Sequence, residues 1–279
     1  MNEDQIAFWN GDGGTKWTAH QDLLDRTLDR IGLEAIAAAA PAPNERVIDI
    51  GCGCGSTSLD LARWVAPAGE VLGVDVSAPM VARARQRGAG LSGLSFAEGD
   101  AAVHAFARDH ADLVFSRFGV MFFEAPAPAF ANILKGLKPG GRLAFVCWRA
   151  LKENPWVTTG LQVALRHLPA PAPMDPHAPG PFAFADPARV EGILGEAGFT
   201  EIEIRPFDTE LVLGGDGGPE AAVAFTREIG PVGRLLTEAP AEARPRVEKD
   251  LLDLYRGMTD GRGRVRAGAA VWIVTARNP

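Results

Sequence analysis

Short apolar runs alternate with longer segments of helical periodicity along the first half of the chain. Five such runs lie at residues 47–50, 71–74, 94–98, 112–117 and 142–147. Strands separated by helices are typical of βαβ units, in which consecutive strands pair in a parallel sheet with helices on its faces. Two later runs, Phe199–Phe207 and Ala270–Ala276, predict a sixth and a seventh strand. The pattern therefore predicts an α/β fold with a doubly wound, mostly parallel sheet.

Helical patterns cover four segments outside the strands: 22–36, 151–168, 219–236 and 241–258. Ser77 and Asp186 each stand just before an early proline, which predicts N-caps for the helices that follow. Phe8–Trp17 is rich in glycine and aromatic residues, and we predict no regular element there.

Three alternate glycines, Gly51, Gly53 and Gly55, join the first strand to the helix after it. Glycines at this spacing let the backbone take positive φ and approach a ligand closely, and the helix points unpaired N–H groups at the same place. Because Ser56 stands where the longer G-x-G-x-x-G pattern of dinucleotide-binding proteins needs a glycine, a nicotinamide oxidoreductase fits poorly. The turn predicts a binding site for another small-molecule cofactor.

Acidic residues follow the next two strands. Asp75 ends the second strand, where a carboxylate can accept hydrogen bonds from both hydroxyls of a ribose. Asp100 comes after the third strand, next to Gly99. Open α/β sheets bind ligands at the carboxyl ends of their strands, so we expect both acids beside the glycine turn. A cofactor that contains a nucleoside is therefore implied.

With the turn Leu137–Gly141, these motifs stand in the order and spacing of the class I S-adenosylmethionine-dependent methyltransferases, which residues 44–150 resemble. The resemblance implies S-adenosyl-L-methionine as cofactor and a Rossmann-like sheet whose seventh strand lies antiparallel between the fifth and sixth. It places the glycines under the methionine part, Asp75 on the ribose and residues 116–118 next to the sulfonium. The implied cofactor-binding residues are Trp17, Gly51, Cys52, Gly53, Gly55, Thr57, Asp75, Val76, Met80, Gly99, Asp100, Ala101, Ser116, Arg117 and Phe118.

The chain divides into five segments: an N-terminal helical arm or lid (1–45), the cofactor-binding core (46–150), a continuation of the core with a proline-rich loop (151–207), a helical substrate cap (208–265) and the last core strand (266–279).

Several of these segments allow two interpretations. Trp9 and Trp17 either anchor the arm to the body or close it over the cofactor, with Trp17 and His20 near the reacting centre. The proline-rich stretch 169–181 favours extended polyproline conformation, and it is either a plain connection or a border of the substrate entrance. Apolar residues of the cap either pack on one another or line the acceptor pocket.

Composition and charge narrow the class of protein. Hydrophobic residues make up 47% of the 279, enough for a packed core, and the net charge of −7 disfavours a nucleic-acid partner. No run approaches the roughly 18 apolar residues of a membrane span, and the first residues lack the pattern of a signal peptide. We therefore expect a cytoplasmic protein without a membrane partner that acts on a small molecule, either as a monomer or as a homodimer.

Cysteines, histidines and arginines add little specific chemistry. Two of the three cysteines lie inside the glycine turn, where they are interpreted as small fillers and not as a disulfide framework. Scattered histidines predict no metal site. Arg83, Arg85 and Arg87 alternate along a predicted helix and are interpreted as a solvated face.

Methyl transfer from a sulfonium is an in-line displacement. Alignment of the two partners can supply roughly 7 to 11 kcal/mol of the barrier, whereas a positioned base gives roughly 3 to 5 kcal/mol. A base is therefore optional, and no catalytic residue is assigned. His20 and His167 are candidates for a base or an orienting group, and Arg117 is a candidate for orienting an anionic substrate.

The segment after the fourth strand limits which class of methyl acceptor the protein can be expected to use. Ser116–Gly119 lacks the Pro-Pro-aromatic pattern found in methyltransferases that act on amide or adenine nitrogens. It resembles instead the branch that includes quinone, sterol and natural-product enzymes, which implies a small, partly hydrophobic acceptor. Two alternatives remain: an RNA or protein methyltransferase, and a non-catalytic protein that binds the cofactor.

Overall fold

A computed structural model describes residues 2–172 and 175–279. Its strands are β1 (Arg46–Ile50), β2 (Glu70–Asp75), β3 (Leu94–Glu98), β4 (Ala111–Arg117), β5 (Leu137–Trp148), β6 (Thr200–Leu213) and β7 (Val265–Arg277). Within the described residues they form one seven-stranded sheet in the order β3-β2-β1-β4-β5-β7-β6. Strands β1 to β5 pair in parallel, and β7 runs antiparallel to both β5 and β6. The predicted α/β sheet with an inserted antiparallel last strand is confirmed.

The helices are α1 (Glu3–Asn10), α2 (Asp12–Ala19), α3 (Gln21–Ala39), α4 (Ser56–Val65), α5 (Ala78–Arg87), α6 (Pro126–Leu134), α7 (Pro155–Ala164), α8 (Pro187–Ala197), α9 (Gly218–Glu228), α10 (Pro231–Glu238) and α11 (Ala243–Gly257). Phe115 of β4 and Phe145 of β5 are fully buried, as is Phe130 of α6, whose ring lies 5.6 Å from that of Phe145. Apolar central strands are expected where helices cover both faces of a parallel sheet.

The N-terminal arm is helical, so the expectation that Phe8–Trp17 lacks a regular element is wrong. Gly11 separates helix α1 from helix α2. The glycines of α2 serve close packing and not flexibility: a Cβ on Gly14 would lie 2.0 Å from the carbonyl oxygen of Trp9 and 2.6 Å from the hydroxyl of Ser77. Tertiary contacts thus override the low helix propensity of these residues.

Hydrogen bonds fasten the arm to the carboxyl end of β2. The Asn10 side chain donates from Nδ2 to the carbonyl of Val76 at 2.8 Å and accepts at Oδ1 from the N–H of Ala78 at 2.9 Å. The Ser77 hydroxyl donates to the carbonyl of Trp9 at 2.6 Å. Helix α5 therefore begins after Ser77 as predicted, but Asn10 of the arm supplies its side-chain cap. The predicted cap at Asp186 is confirmed, since its carboxylate accepts from the N–H of Ala188 at 3.0 Å.

The second half of the chain departs from the predicted bounds in several places. Strands β6 and β7 are longer than predicted because they pair with each other along nearly their whole length. Their antiparallel pairs run from Thr200↔Arg277 to Leu213↔Val265. The connection between them holds α9, α10 and α11, and Gly230 divides the first predicted helical segment of the cap. No helix of the described ranges has the length and apolar character to cross a bilayer.

Residues 176–181 of the proline-rich segment form turns and bends, not the extended conformation that we predicted, whereas residues 169–172 adopt no regular element. Pro173 and Met174 lie outside the described residues. The N–H of Gly180 donates to the carbonyl of Met121 at 3.1 Å, which ties the segment to the chain just after β4. This tertiary hydrogen bond competes with the local preference of prolines for an extended backbone.

Replacing Asn10 with alanine should loosen the arm, because both hydrogen bonds from its side chain to residues 76–78 are lost. We expect faster tryptic cleavage after Lys16, measured as the appearance of the fragment that begins at Trp17. Thr15→Ala is the control, since the Thr15 hydroxyl donates within the arm, to the carbonyl of Gly11. Equal cleavage rates in the two variants would show that the Asn10 bridge does not hold the arm.

Candidate functional site

The glycine turn between β1 and α4 has a left-handed backbone at Gly51, Gly53 and Gly55, with φ of 65°, 54° and 83°. L side chains rarely adopt such values. A Cβ on Gly51 would lie 2.6 Å from the Cα of Gly119, and one on Gly53 would lie 2.9 Å from the terminal methyl of Met80. The glycines are therefore required both by the backbone conformation and by close packing inside the protein. We expected them to leave room for a ligand, and the structure adds this second reason.

Asp75 ties the glycine turn to the end of β2. Its Oδ2 accepts from the N–H of Gly53 at 2.8 Å, and its Oδ1 accepts from the N–H of Ser77 at 2.9 Å. Burial raises the pKa of this carboxyl, while the backbone N–H groups act in the opposite direction. Each carboxylate oxygen has a second lone pair, so the group can hold the turn and still accept from a ribose hydroxyl.

A cavity of about 160 Å³ opens at the carboxyl ends of β2 and β3, lined by Ile6, Asn10, Val76, Glu98, Gly99 and Asp100. Val76, Gly99 and Asp100 are among the predicted cofactor-binding residues, and the fold brings them together here. Two residues of the arm complete the wall. The arm also reaches Asp100 through Asn2, whose Nδ2 lies 3.1 and 2.9 Å from its two carboxylate oxygens. Ala101, the next residue, is buried.

Asp49 is a buried acid that the sequence reasoning missed. Its Oδ2 accepts from the hydroxyls of Thr57 at 2.8 Å and Ser58 at 2.6 Å. Among the residues that the structure describes, no hydrogen-bond partner reaches its Oδ1. Burial raises the pKa of Asp49 from 3.8 to about 6. A lone carboxylate within an otherwise apolar strand, two residues before Gly51, was the available signal. Thr57, a predicted cofactor contact, points its hydroxyl at this acid.

The three predicted residues at the end of β4 take different directions. Ser116 is fully buried, and its hydroxyl accepts from the N–H of Gly119 at 3.2 Å. The Arg117 guanidinium faces α3, 4.0 Å from the carboxylate of Asp25 and beside Gly32. Burial lowers the pKa of Arg117, whereas the surrounding carboxylates raise it. Contacts with α3 therefore account for Arg117, and they give no support to a role in orienting an anionic substrate.

Phe118 belongs to a cap-side aromatic cluster with Trp148 and Trp156. Its φ of 64° is unusual for a bulky residue, a conformation that persists only where surrounding structure enforces it. The Phe118 ring stacks on Trp148 with centroids 4.3 Å apart, and Trp148 lies 5.0 Å from Trp156. The indole N–H of Trp156 donates to Oδ1 of the fully buried Asn154 at 3.2 Å, which fixes the half-buried ring.

A second group, the arm-side aromatic cluster, consists of Trp9, Trp17 and Phe122. The Trp9 ring lies edge-on to both, with centroid distances of 5.8 Å to Trp17 and 5.3 Å to Phe122. Phe122 follows β4 by a few residues, so this cluster joins the arm to the region next to Phe118. Trp9 therefore anchors the arm to the body through Phe122, and Trp17 packs on Trp9 within the arm.

The candidate bases occupy different regions. His167 follows α7, and its Nε2 lies 2.9 Å from the carboxylate of Asp250 on α11. This contact lowers the pKa of Asp250 and joins two helices of the second half of the chain. His20 is half-buried between α2 and α3. The described residues contain no cluster of three side chains suited to a metal ion, and Cys52 and Cys54 are buried free thiols.

Comparison with known proteins finds the family described as "Methyltransferase domain" over residues 47–141. A demethylmenaquinone methyltransferase of Renibacterium salmoninarum is 26% identical over 75% of the chain and 90% of that protein. The ubiquinone/menaquinone biosynthesis C-methyltransferase UbiE of Pseudomonas paraeruginosa is 33% identical over 46% of the chain, which spans about half (52%) of that relative. A phosphoethanolamine N-methyltransferase of Haemonchus contortus, solved with S-adenosylhomocysteine, shares the fold at a TM-score of 0.53 and 19% identity, covering 90% of this chain and 52% of that one.

Replacing Asp49 with asparagine should change how stability depends on pH. Because the pKa of Asp49 is raised from 3.8 to about 6 in the folded state, the unfolded chain ionises first as the pH rises. The wild type should therefore lose about 1.5 kcal/mol of unfolding free energy relative to Asp49→Asn between pH 5 and pH 8. Urea unfolding at both pH values measures this difference.

Asp112→Asn is the matched control. Hydrogen bonds from the backbone N–H of Arg46 and from Lys138 hold the pKa of Asp112 below 3.8, so it is ionised in both states throughout this range. The stability difference between Asp112→Asn and the wild type should not change with pH. A difference for Asp49→Asn that is equally constant from pH 5 to pH 8 would contradict the assigned state of Asp49.

Proposed function

We propose that the chain is a class I S-adenosylmethionine-dependent methyltransferase, which transfers a methyl group to a small, partly hydrophobic ring compound held between the arm and the cap. The proposal rests foremost on one observation: Asp75 joins the glycine turn to the end of β2, and the neighbouring Val76 lines a cavity together with Gly99 and Asp100, two further residues of the implied cofactor site.

The residues at this edge suit the parts of S-adenosylmethionine. The left-handed turn at Gly51–Gly55 provides a backbone that a ligand can approach, and the N-terminus of α4 follows it directly. Asp75 would accept from the ribose hydroxyls. Val76 and Asp100 border the cavity where the adenine would lie. We keep Met80 and Ala101 as further contacts, together with the residues of the turn.

The cofactor supplies an activated methyl group, so the chain's own task is mainly to align the two reactants and exclude water. Alignment is worth roughly 7 to 11 kcal/mol of the barrier. The arm-side and cap-side aromatic clusters suit this task, because rigid rings exclude water at little cost in conformational entropy. No base is required by this proposal. His20 remains a candidate, whereas the side chain of His167 is engaged by Asp250.

The relatives and the aromatic rings together favour an acceptor of the quinol type. Both curated relatives are named for quinone-related substrates. Phe118 and Trp148 stack with their planes 9° apart and are buried, and the half-buried Trp156 ring packs against Trp148 at an angle of 41°. The Trp156 ring, held in place by this packing, could offer an apolar face to a planar acceptor. Transfer to RNA is less favoured, because a net charge of −7 disfavours binding to phosphates.

Replacing Asp75 with alanine should lower the affinity for S-adenosylhomocysteine at least tenfold, because a ribose acceptor is lost and the Gly53 N–H loses its partner. Isothermal titration calorimetry gives the dissociation constants. Asp60→Ala is the control, since Asp60 pairs with Arg63 on α4. Similar affinities in both variants would remove Asp75 from the cofactor site.

Replacing Trp156 with leucine should raise the KM for a quinol acceptor about tenfold and leave cofactor affinity unchanged, because only the acceptor surface is altered. The assay follows formation of S-adenosylhomocysteine with a panel of quinols and phenols. Trp64→Leu is the control, since Trp64 is 56% exposed on α4. If no panel member is methylated while RNA or protein is, the acceptor class proposed here is wrong.

A further inference from the structure

An arginine from α5 holds the centre of the glycine turn. Nη1 of Arg87 donates to the carbonyl oxygen of Cys54 at 2.6 Å. Cys54 lies between Gly53 and Gly55, whose φ values of 54° and 83° place the turn in a conformation that few residues adopt. A glycine-rich backbone loses more conformational entropy than any other when it is fixed, so a contact that holds it acts directly on its order.

Asp25 of α3 holds this arginine in turn. Nη2 of Arg87 lies 2.8 Å from Oδ2 of Asp25, and the side chains are only 21% and 20% exposed. The same oxygen accepts from Nε2 of Gln21 at 2.5 Å. A half-buried, charge-assisted pair is stronger and less screened by salt than one on the surface. The interpretation of Arg87 as part of a solvated face is therefore wrong.

The contacts of Arg87 differ from those of its neighbours on the same helix. Arg83 donates to the side chain of Gln21, and Arg85 donates to the carbonyl of Phe96. Neither contact involves the backbone of the glycine turn. Cys54 has a second contact, since its thiol lies 4.0 Å from the hydroxyl of Thr18 on α2. The middle of the turn is thus bound to α5 through its carbonyl and to α2 through its side chain.

We infer that Arg87 is a positioning residue for cofactor binding, which Asp25 holds in place so that the Cys54 carbonyl fixes the glycine turn in its binding conformation. The inference rests on the proposed function. Arg87 acts on the turn from a cleft of about 370 Å³ between α3 and α4, which it lines together with Asp25 and Arg63. Arg87 therefore affects the affinity for the cofactor by keeping the glycine turn in one conformation, without touching the cofactor itself.

The test is the affinity of the full-length protein for S-adenosylhomocysteine, measured by isothermal titration calorimetry with melting temperatures for each variant. Arg87→Gln should raise the dissociation constant about tenfold. Arg63→Gln, a change of the same kind in the same cleft, should leave the dissociation constant unchanged, because the Arg63 side chain is 73% exposed and pairs with Asp60 of its own helix. Asp25→Asn should also weaken binding, and its combination with Arg87→Gln should add less than the two separate effects predict.

The outcomes separate this inference from the proposed function. If the wild type does not bind S-adenosylhomocysteine, the proposed function fails. If the wild type binds and Arg87→Gln binds equally well, only the positioning role fails. A purely structural arginine would lower the melting temperature and leave the dissociation constant unchanged, which also overturns the inference. Should Arg87→Gln not fold, the dissociation constants of Arg87→Lys and Arg63→Lys decide. Lysine keeps the charge beside Asp25 but cannot donate in the same fork geometry, so the inference predicts weaker binding for Arg87→Lys alone, and equal binding in both variants overturns it.

Discussion

The hydrogen bond from the Gly53 N–H to the Asp75 carboxylate is the contact on which the rest of the site depends. It joins two βα connections that are more than twenty residues apart in sequence, at 2.8 Å and in a buried environment. The bond fixes the left-handed turn against the end of β2, so that backbone N–H groups and a carboxylate meet at one point. A charged acceptor is stronger here than a neutral one, because little water competes for it.

Two groups of residues lie around this contact. The arm covers the carboxyl end of β2 through Asn10, and Trp9 links it to Phe122 beyond β4. Near the end of β4, Trp148 packs between Phe118 and the half-buried Trp156. Both groups are rich in aromatic rings, which bury much apolar area with few rotatable bonds. This arrangement is suited to a reaction that depends on alignment and on exclusion of water.

The sequence predicted the sheet and the glycine turn because both are encoded by local patterns. Apolar runs of strand length, alternate glycines and an acid at a strand end can be read without knowing what lies nearby in space. The partners of those residues could not be predicted, since they come from distant parts of the chain. Asn10 caps a helix almost seventy residues away, and Arg87 bonds to Cys54 although periodicity placed it on a solvated face. Helices α1 and α2 of the arm were missed because packing against Ser77 outweighs the propensity of Gly14.

A crystal structure with S-adenosylhomocysteine bound tests the central claim most directly. The ribose hydroxyls should lie within hydrogen-bond distance of the Asp75 carboxylate, with the amino-acid part along the glycine turn and the adenine beside Val76 and Asp100. A ligand bound at another place, with the Asp75 carboxylate contacting only the protein, would contradict it.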